Sequence, residues 1–560
     1  MKSKLKLFLF LLFLLPSFWW LIGSGYFNMH DDLQVMRVFE MDKCLADGQI
    51  PCRWTPDMEW GYGQPMFNYY SAFPYYLGSF LRMVVPLTYL GTVKTLFLLS
   101  FVIAAFGMYK LASQFWGKTG GVLSAILFTY APYHAVDVYV RGALSEVFAL
   151  SLLPWMLCFS YKLIKNYSLN NFIGTTISIA LILTTHNIST MIYAPVTLIW
   201  CLFWVIVERK VKALFPLSFA GLLGVGLASF FVIPALIEQN IIQTNLLTTD
   251  YYDFRGHFVT LKQLFISRVW GDGPSIYGDA DNLSFQVGWP NWWLGVVAVS
   301  NAAYLAVKKK IEPHKIFLIG TLCLFTIFFT FMTHQRSLFI WNLIPNLDFV
   351  QFPWRFLGPS MFFLAFFAGS ISLSKNLITK SFIIFMIPLS IVLNFKYFIP
   401  INYSRKVTDE AKLSGKAFEL QQKSALYDYL PFTVKYPPQS KAFSDPKIIS
   451  GDLSVGQFSK SSDSFTFSAD VYLPSEVEIP IMYFPGWEVF VDGKKQQVQV
   501  HGDNGLISIS FDTGQHQVYG HFGNTKIRNV ANAITILFFG AFLLTMVVGS
   551  LYETNKGKNI

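Results

Sequence analysis

At 560 residues, with 53% hydrophobic and 18% aromatic residues, only 14% charged ones and a mean hydropathy of +0.43, the chain carries more apolar surface than a soluble fold can bury. Its formal net charge of +10 does not mark a nucleic-acid binder, because the Lys and Arg residues fall in short gaps between apolar stretches rather than on one clustered face. Composition therefore predicts a polytopic α-helical membrane protein with lipid as its surroundings and no nucleic acid as partner.

Apolar stretches near 5–23, 91–113, 119–136, 143–164, 171–186, 188–207, 213–236, 291–307, 315–332, 355–373, 381–399 and 529–551 predict about 12 spans, each close to the 20 residues that cross a bilayer. With the N-terminus inside, Lys2, Lys4, Lys6, Lys110, Lys118, Lys162, Lys165, Arg209 to Lys212, Lys308 to Lys310, Lys375, Lys380, Lys556 and Lys558 all fall on one side. That asymmetry predicts cytoplasmic termini. The first stretch has the basic start of a signal peptide, but no clear small-residue cleavage site follows Gly25, so it is read as an anchor. Every chemically loaded segment then faces outward, where an ionisable residue at a membrane surface is costly to leave idle.

The large first outer loop, 24–90, opens with His30-Asp31-Asp32. Leu33, Met36, Val38, Phe39 and Met41 follow at helical spacing, so Asp31 reads either as an N-cap in a capping box with Gln34 or as a functional carboxylate. A carboxylate facing a cavity serves as a general base or, with its neighbour, as a ligand for a divalent metal ion. The loop goes on through Arg37, Asp47 to Trp54 and Trp60 to Tyr70, a run rich in Gly, Pro and aromatics that suits an interfacial belt. Within it Arg53 and Tyr62 are substrate-binding candidates, since a guanidinium among aromatics matches a pair of phosphate oxygens and can also stack.

Cys44 and Cys52 share this loop and are open to a disulfide or to two thiols, whereas Cys158, Cys201 and Cys323 sit in apolar stretches.

The second outer turn presents Asp137, Tyr139 and then Arg141 to Glu146. Glu146 lies in the opening turns of a span, where the helix dipole favours an anion, and is read either as an interfacial partner of Arg141 or as a group that orients phosphate or a sugar hydroxyl. His186 with Asn187 joins two spans as a cap or as a hydrogen-bonding group at a cavity. Val269 to Pro274 and Phe285 to Trp289 make a Gly-rich aromatic loop suited to a lid, to packing or to a sugar ring. Arg355, in Gln351-Phe352-Pro353-Trp354-Arg355, enters a span from outside, where it either snorkels or meets a phosphate. No GxxxxGK[ST], HExxH or GxSxG element occurs.

From Ser464 the apolar residues alternate, as at Phe465, Phe467, Ala469 and Val471, and Asp492-Gly493 separates two such runs. Period two predicts strands, and the Asp-Gly pair a tight hairpin, within a small extracytoplasmic β-sandwich-like domain. The predicted organisation is a transmembrane domain over 1–400, a β-rich outer domain over 401–527, and an anchor with a cytoplasmic tail over 528–560.

The order of His30-Asp31-Asp32, Arg37, GQIPCRW at 48–54, GYGQPMFNYY at 61–70 and VRGALSE at 140–146 resembles bacterial membrane proteins labelled 6-pyruvoyl-tetrahydropterin synthase-related. Those proteins look like GT-C polytopic glycosyltransferases, and FPWRF at 352–356 fits them. YFPGWEVFVDG at 483–493 is similar to the outer domain of YfhO-like membrane proteins, which are linked with sugar decoration of the cell envelope. The resemblance implies a GT-C-like fold, an acidic residue in the first outer loop (Asp31, with Asp32 beside it) as the catalytic group, and a sugar on a polyprenyl phosphate as donor. It implies an envelope polymer or lipid as acceptor, and the outer face of the bacterial plasma membrane as the place of transfer. His30, Arg37, Arg53, Tyr62, Arg141, Glu146, His186 and Arg355 would bind substrate, the arginines neutralising the leaving phosphate. The rival readings are a transporter or flippase of lipid-linked sugars and a non-catalytic envelope assembly protein.

Overall fold

The structure, a computed structural model, describes residues 2–423 and 429–558. Among the described residues, seven helices are long and apolar enough to cross a membrane: Tyr89–Thr129, Leu144–Lys165, Asn187–Val207, Pro313–Met332, Pro353–Leu373, Leu377–Phe398 and Lys526–Leu551. An eighth follows if Val211–Leu227 and Ser229–Ile237, bent by 72°, count as one span.

The expected twelve are not confirmed, and local chemistry explains the difference. Leu7–Ile22 and Leu169–Thr185 are apolar but short of the roughly 20 residues that span hydrocarbon. The expected spans 91–113 and 119–136 both lie within Tyr89–Thr129, and the helix is interrupted between them at Gly117, with φ +72°, where the expected break falls. There the chain folds back: a Cβ on Gly121 would meet the Tyr109 carbonyl oxygen at 3.0 Å, whereas positions twelve apart on a straight helix lie about 18 Å apart. The element stops at Thr129, and Pro132 opens a separate helix, Pro132–Tyr139, because proline at a first turn sacrifices no hydrogen bond.

Leu357–Ala368 is apolar all round and buried at every residue, so it forms the centre against which Trp289–Val307 and Pro313–Met332 pack. The break in the bent pair frees backbone groups that lipid cannot satisfy. They are met from elsewhere in the chain: the Phe230 N–H donates to Thr535 Oγ1 at 2.8 Å, and Arg53 Nη2 donates to the Phe230 carbonyl at 3.0 Å.

In the first outer loop the helix Gln34–Ala46 begins after Leu33, with no side-chain cap, so the capping role read for Asp31 is not what the structure forms. Cys44 and Cys52 are joined in a disulfide with Cα atoms 5.5 Å apart.

The strands between Lys447 and Phe522 form one curled antiparallel sheet in place of the expected two-layer sandwich. Its spine is the 19-residue strand Ser464–Met482. Gly514–Phe522 pairs with the first part of that strand, and Leu506–Phe511 with the part beyond Pro474, so a single long strand serves both halves. Asp492 and Gly493 both have positive φ, +50° and +76°, and close the hairpin between Trp487–Val491 and Lys494–Gln496 as the Asp-Gly pair predicts. The sheet sits on the first outer loop: the Trp54 ring packs against Phe484, Trp487 and Phe522, and the Met482 N–H donates to the Tyr62 carbonyl.

Candidate active site

The first outer loop and the second outer turn are stitched together by backbone at the residues of interest. The His30 N–H donates to the Val140 carbonyl and the Asp31 N–H to the Arg141 carbonyl, each at 2.9 Å. Gly142, at φ +65°, is required by this approach, since a Cβ there would strike the Met29 side chain and reach the Asp31 carbonyl oxygen at 3.0 Å.

Asp31 is held by one oxygen. Its Oδ2 accepts from Arg37 Nη1 at 2.7 Å and from Gln34 Nε2 at 3.0 Å, while its side chain keeps 34% exposure. Gln34 is fully buried; its Oε1 accepts from the Tyr75 hydroxyl at 2.7 Å, and its Nε2 also donates to the Gly142 carbonyl at 2.8 Å. With the carbonyl end taken by a hydroxyl donor, the amide has one orientation, and its N–H groups face Asp31 and the turn. Arg37 is fully buried over the Tyr70 ring, 4.3 Å from its centroid, and its Nε and Nη2 have no protein acceptor. Burying a charged donor without a partner is costly, so this guanidinium has capacity for a further anion.

Asp32 turns the other way and pairs with Lys412, which also lies over the Tyr26 ring. Burial raises the Asp32 carboxyl above its usual value against the opposing pull of Lys412. His30 is exposed, with Nε2 at 2.9 Å from the Asp272 carbonyl, which lays the Gly-rich loop across the rim of the site. The two aspartates therefore do not present their oxygens to one cation, and among the described residues no group of three or more His, Cys, Asp or Glu side chains could hold a metal ion. A divalent metal does not fit this donor set.

Behind the turn lies a buried ionic cluster. Glu146 Oε2 accepts from Arg141 Nη2 at 2.8 Å and from Arg355 Nε at 3.3 Å, and its Oε1 accepts from the Tyr133 hydroxyl. Arg141 also pairs with Asp137 and lies over the Trp354 ring, 4.4 Å from its centroid. Arg355 Nη1 donates to the Val350 carbonyl and to Gln351 Oε1, each at 2.8 Å. Burial, then the nearby Glu146 charge, pushes the Asp137 carboxyl well above the carboxylate range. Two guanidinia thus share two carboxylates, Glu146 and Asp137, in this cluster. His186 caps the helix Asn187–Val207 by accepting the Ser189 N–H at 3.2 Å; burial, with the field of Arg355 and Arg141, lowers its imidazole below the usual value and keeps it neutral.

The structure thus brings His30, Asp31 and Arg37 together and stitches them by backbone to the Arg141, Glu146 and Arg355 cluster, with His186 within its electrostatic reach. Two candidates lie elsewhere. Arg53 spends Nη1 on Asn68 and Nη2 on Phe230 and Asn532, and burial, with Arg528 nearby, lowers it to about 10. Tyr62 is buried under the curled sheet against Phe443. Tyr133, not singled out in the sequence, carried a local signal there: it stands four residues before Asp137, on the same face of the helix Pro132–Tyr139. Lys412 carried none, lying 380 residues from its partner.

Residues 67–404 match the model of a family described as 6-pyruvoyl-tetrahydropterin synthase related domain; membrane protein. An uncharacterized protein of Lactococcus lactis subsp. cremoris (strain MG1363) is 23% identical over 245 residues, which make up 42% of this chain and 40% of that protein. Among solved structures, arabinofuranosyltransferase AftD from Mycobacteria aligns at a TM-score of 0.44 and 14% identity over 73% of this chain and 28% of its own. A mutant of the same enzyme aligns at 0.44 and 13% over 73% and 29%. The chain covers well under two thirds of the length of each of these proteins. The family match extends over more than half of the sequence, and the chain belongs to the 6-pyruvoyl-tetrahydropterin synthase related family of membrane proteins.

Proposed function

We propose that this protein is a GT-C-like membrane glycosyltransferase that moves a sugar from a polyprenyl-phosphate-type donor to a cell-envelope acceptor, on the extracytoplasmic face of the bacterial plasma membrane with both termini cytoplasmic. The observation that carries the reading is Asp31: a half-exposed carboxylate anchored through one oxygen by Arg37 and Gln34, with the other oxygen free to take a proton. In this reaction the acceptor hydroxyl gives its proton to Asp31 as its oxygen bonds to the anomeric carbon. The bond from that carbon to the phosphate oxygen breaks, its electron pair leaves with the phosphate, and the anomeric configuration inverts. Arg37, whose buried Nε and Nη2 lack a protein acceptor, suits the leaving phosphate best.

The transporter reading would draw on the bent pair Val211–Leu227 and Ser229–Ile237, because broken helices line substrate sites in transporters. Here the Phe230 N–H and carbonyl are already taken by Thr535 and Arg53, so these two groups are not open to a cargo. The deciding experiment is incubation of purified full-length protein with a radiolabelled polyprenyl-phosphate sugar and envelope acceptor. We expect the wild type to consume donor, Asp31→Asn to lose about 10²- to 10⁴-fold in rate, and Asp32→Asn to retain most of it. No donor consumption by the wild type, or full activity in Asp31→Asn, overturns the proposal.

A further inference from the structure

Trp289–Val307 and Pro313–Met332 both pack on the buried helix Leu357–Ala368, yet they leave a cavity of about 520 Å³ between them. Leu364 and Phe367 floor it, Val299 and Ile327 face each other across it, and both of these are exposed at 40% and 59% where no protein covers them. Pro313–Met332 is a membrane-crossing helix, so the open side of this cavity meets hydrocarbon. At the outer end, just beyond Met332, His334 and Arg336 complete the lining, and no carboxylate takes part in it. Arg336 is exposed, and its backbone N–H donates to His334 Nδ1 at 3.2 Å, so the two side chains share one mouth. An apolar trough along the outer halves of these helices, Trp292 to Ser300 and Cys323 to Phe331, that ends in a basic mouth is complementary to a lipid with a negative head.

We propose that this groove binds one acyl chain of an anionic bilayer phospholipid, with its phosphate at Arg336 and His334. The wall towards the Asp31 and Glu146 region is shut, because Phe329 stacks on Phe356 with centroids 5.8 Å apart and the Thr330 and Ser360 hydroxyls hydrogen-bond at 2.6 Å. That wall separates the groove from the transfer site and assigns it to a resident lipid rather than to the sugar donor.

The test is native mass spectrometry of the full-length protein released from nanodiscs holding equal phosphatidylglycerol and phosphatidylcholine. The wild type should retain one phosphatidylglycerol through stepwise delipidation. Val299→Trp, which fills the trough, should lose that lipid at least tenfold. Arg336→Gln, an exposed change that spares the fold, should keep a lipid but lose about fivefold in preference for the anionic head, the effect of one basic residue at a membrane surface. Equal retention of the two lipids by the wild type, an unchanged preference in Arg336→Gln, undiminished lipid in Val299→Trp, or a polyprenyl phosphate as the retained species from cell membranes overturns the proposal. If Val299→Trp does not fold, Arg336→Gln decides alone.

Discussion

Gln34 has no chemistry of its own, so its replacement tests whether Asp31 works through its anchoring. Gln34→Met keeps the volume but removes the acceptor for the Tyr75 hydroxyl and the donor to Asp31 Oδ2 and the Gly142 carbonyl. The Gly142 carbonyl keeps the Leu144 N–H at 2.8 Å, so the loss that bears on the site is the charge-assisted bond to Asp31, worth about 1.5–3 kcal/mol. Arg37 still holds Oδ2, so the carboxylate stays near its place but is freer to swing. Misplacement of a reacting group by about 1 Å costs on the order of 10²-fold, so kcat for transfer should fall about 10²-fold while KM for the donor moves little. The assay is steady-state transfer by protein purified as a monodisperse peak, measured for Gln34→Met, Asp31→Asn and the double variant. If Gln34 acts through Asp31, its loss should add little once Asp31 is gone. A double variant slower than Asp31→Asn by the full factor of the single Gln34 change refutes the positioning role and leaves Gln34 a purely structural residue.

Glu146→Gln removes the negative charge that Arg141 and Arg355 share while keeping one acceptor oxygen, and breaking such a buried ion pair should cost about 3–5 kcal/mol, read as a collapse of the folded peak in size-exclusion chromatography. Arg53→Met should destabilise the bent pair by a few kcal/mol, since the Phe230 carbonyl, Asn68 and Asn532 all lose their donor, while transfer per folded molecule stays unchanged. Lys460 of the sheet donates to the Gly61 carbonyl of the first outer loop, and burial lowers it to about 8 from 10.5. Because the unfolded chain binds the extra proton between those values, the contact should strengthen as pH rises from 8 to 10.5, making pulse proteolysis at the loop slower at pH 9.5 than at 7.5; Lys460→Met should erase the difference.

How much of this was legible in the sequence depends on the range of the interaction concerned. Local periodicity carried the strands and the Asp492-Gly493 hairpin, because side-chain alternation and positive φ are properties of a few consecutive residues. Hydropathy found the apolar stretches and the break at Gly117 between two of them, but not where each helix ends, since it cannot register that Pro132 opens a new one. The same limit applies to Arg53: a guanidinium among aromatics reads as a phosphate ligand until the bent pair, some 177 residues away, supplies a bare carbonyl for it.

The choice between Asp31 and Asp32 shows the limit most sharply. As neighbours on the chain they have the same composition, charge and distance from the membrane, and nothing local separates them. What separates them is where their partners come from. Asp31 is met by Arg37 and Gln34, within one helical turn of each other, and these hold one oxygen and leave the other. Asp32 is met by Lys412 from across the fold, and its Oδ1 is buried without a partner. A general base needs a free oxygen, an ionised resting state and access to the acceptor. Asp31 has the free oxygen and the anchoring cation, at the same 34% side-chain exposure as Asp32. Asp32, with its carboxyl raised by burial and its charge spent on Lys412, serves better to pin the segment Asp409–Leu413 onto the rim. On the proposed reading the acid–base work and the docking work are divided between two adjacent identical residues, and what distinguishes them is the range from which their partners come.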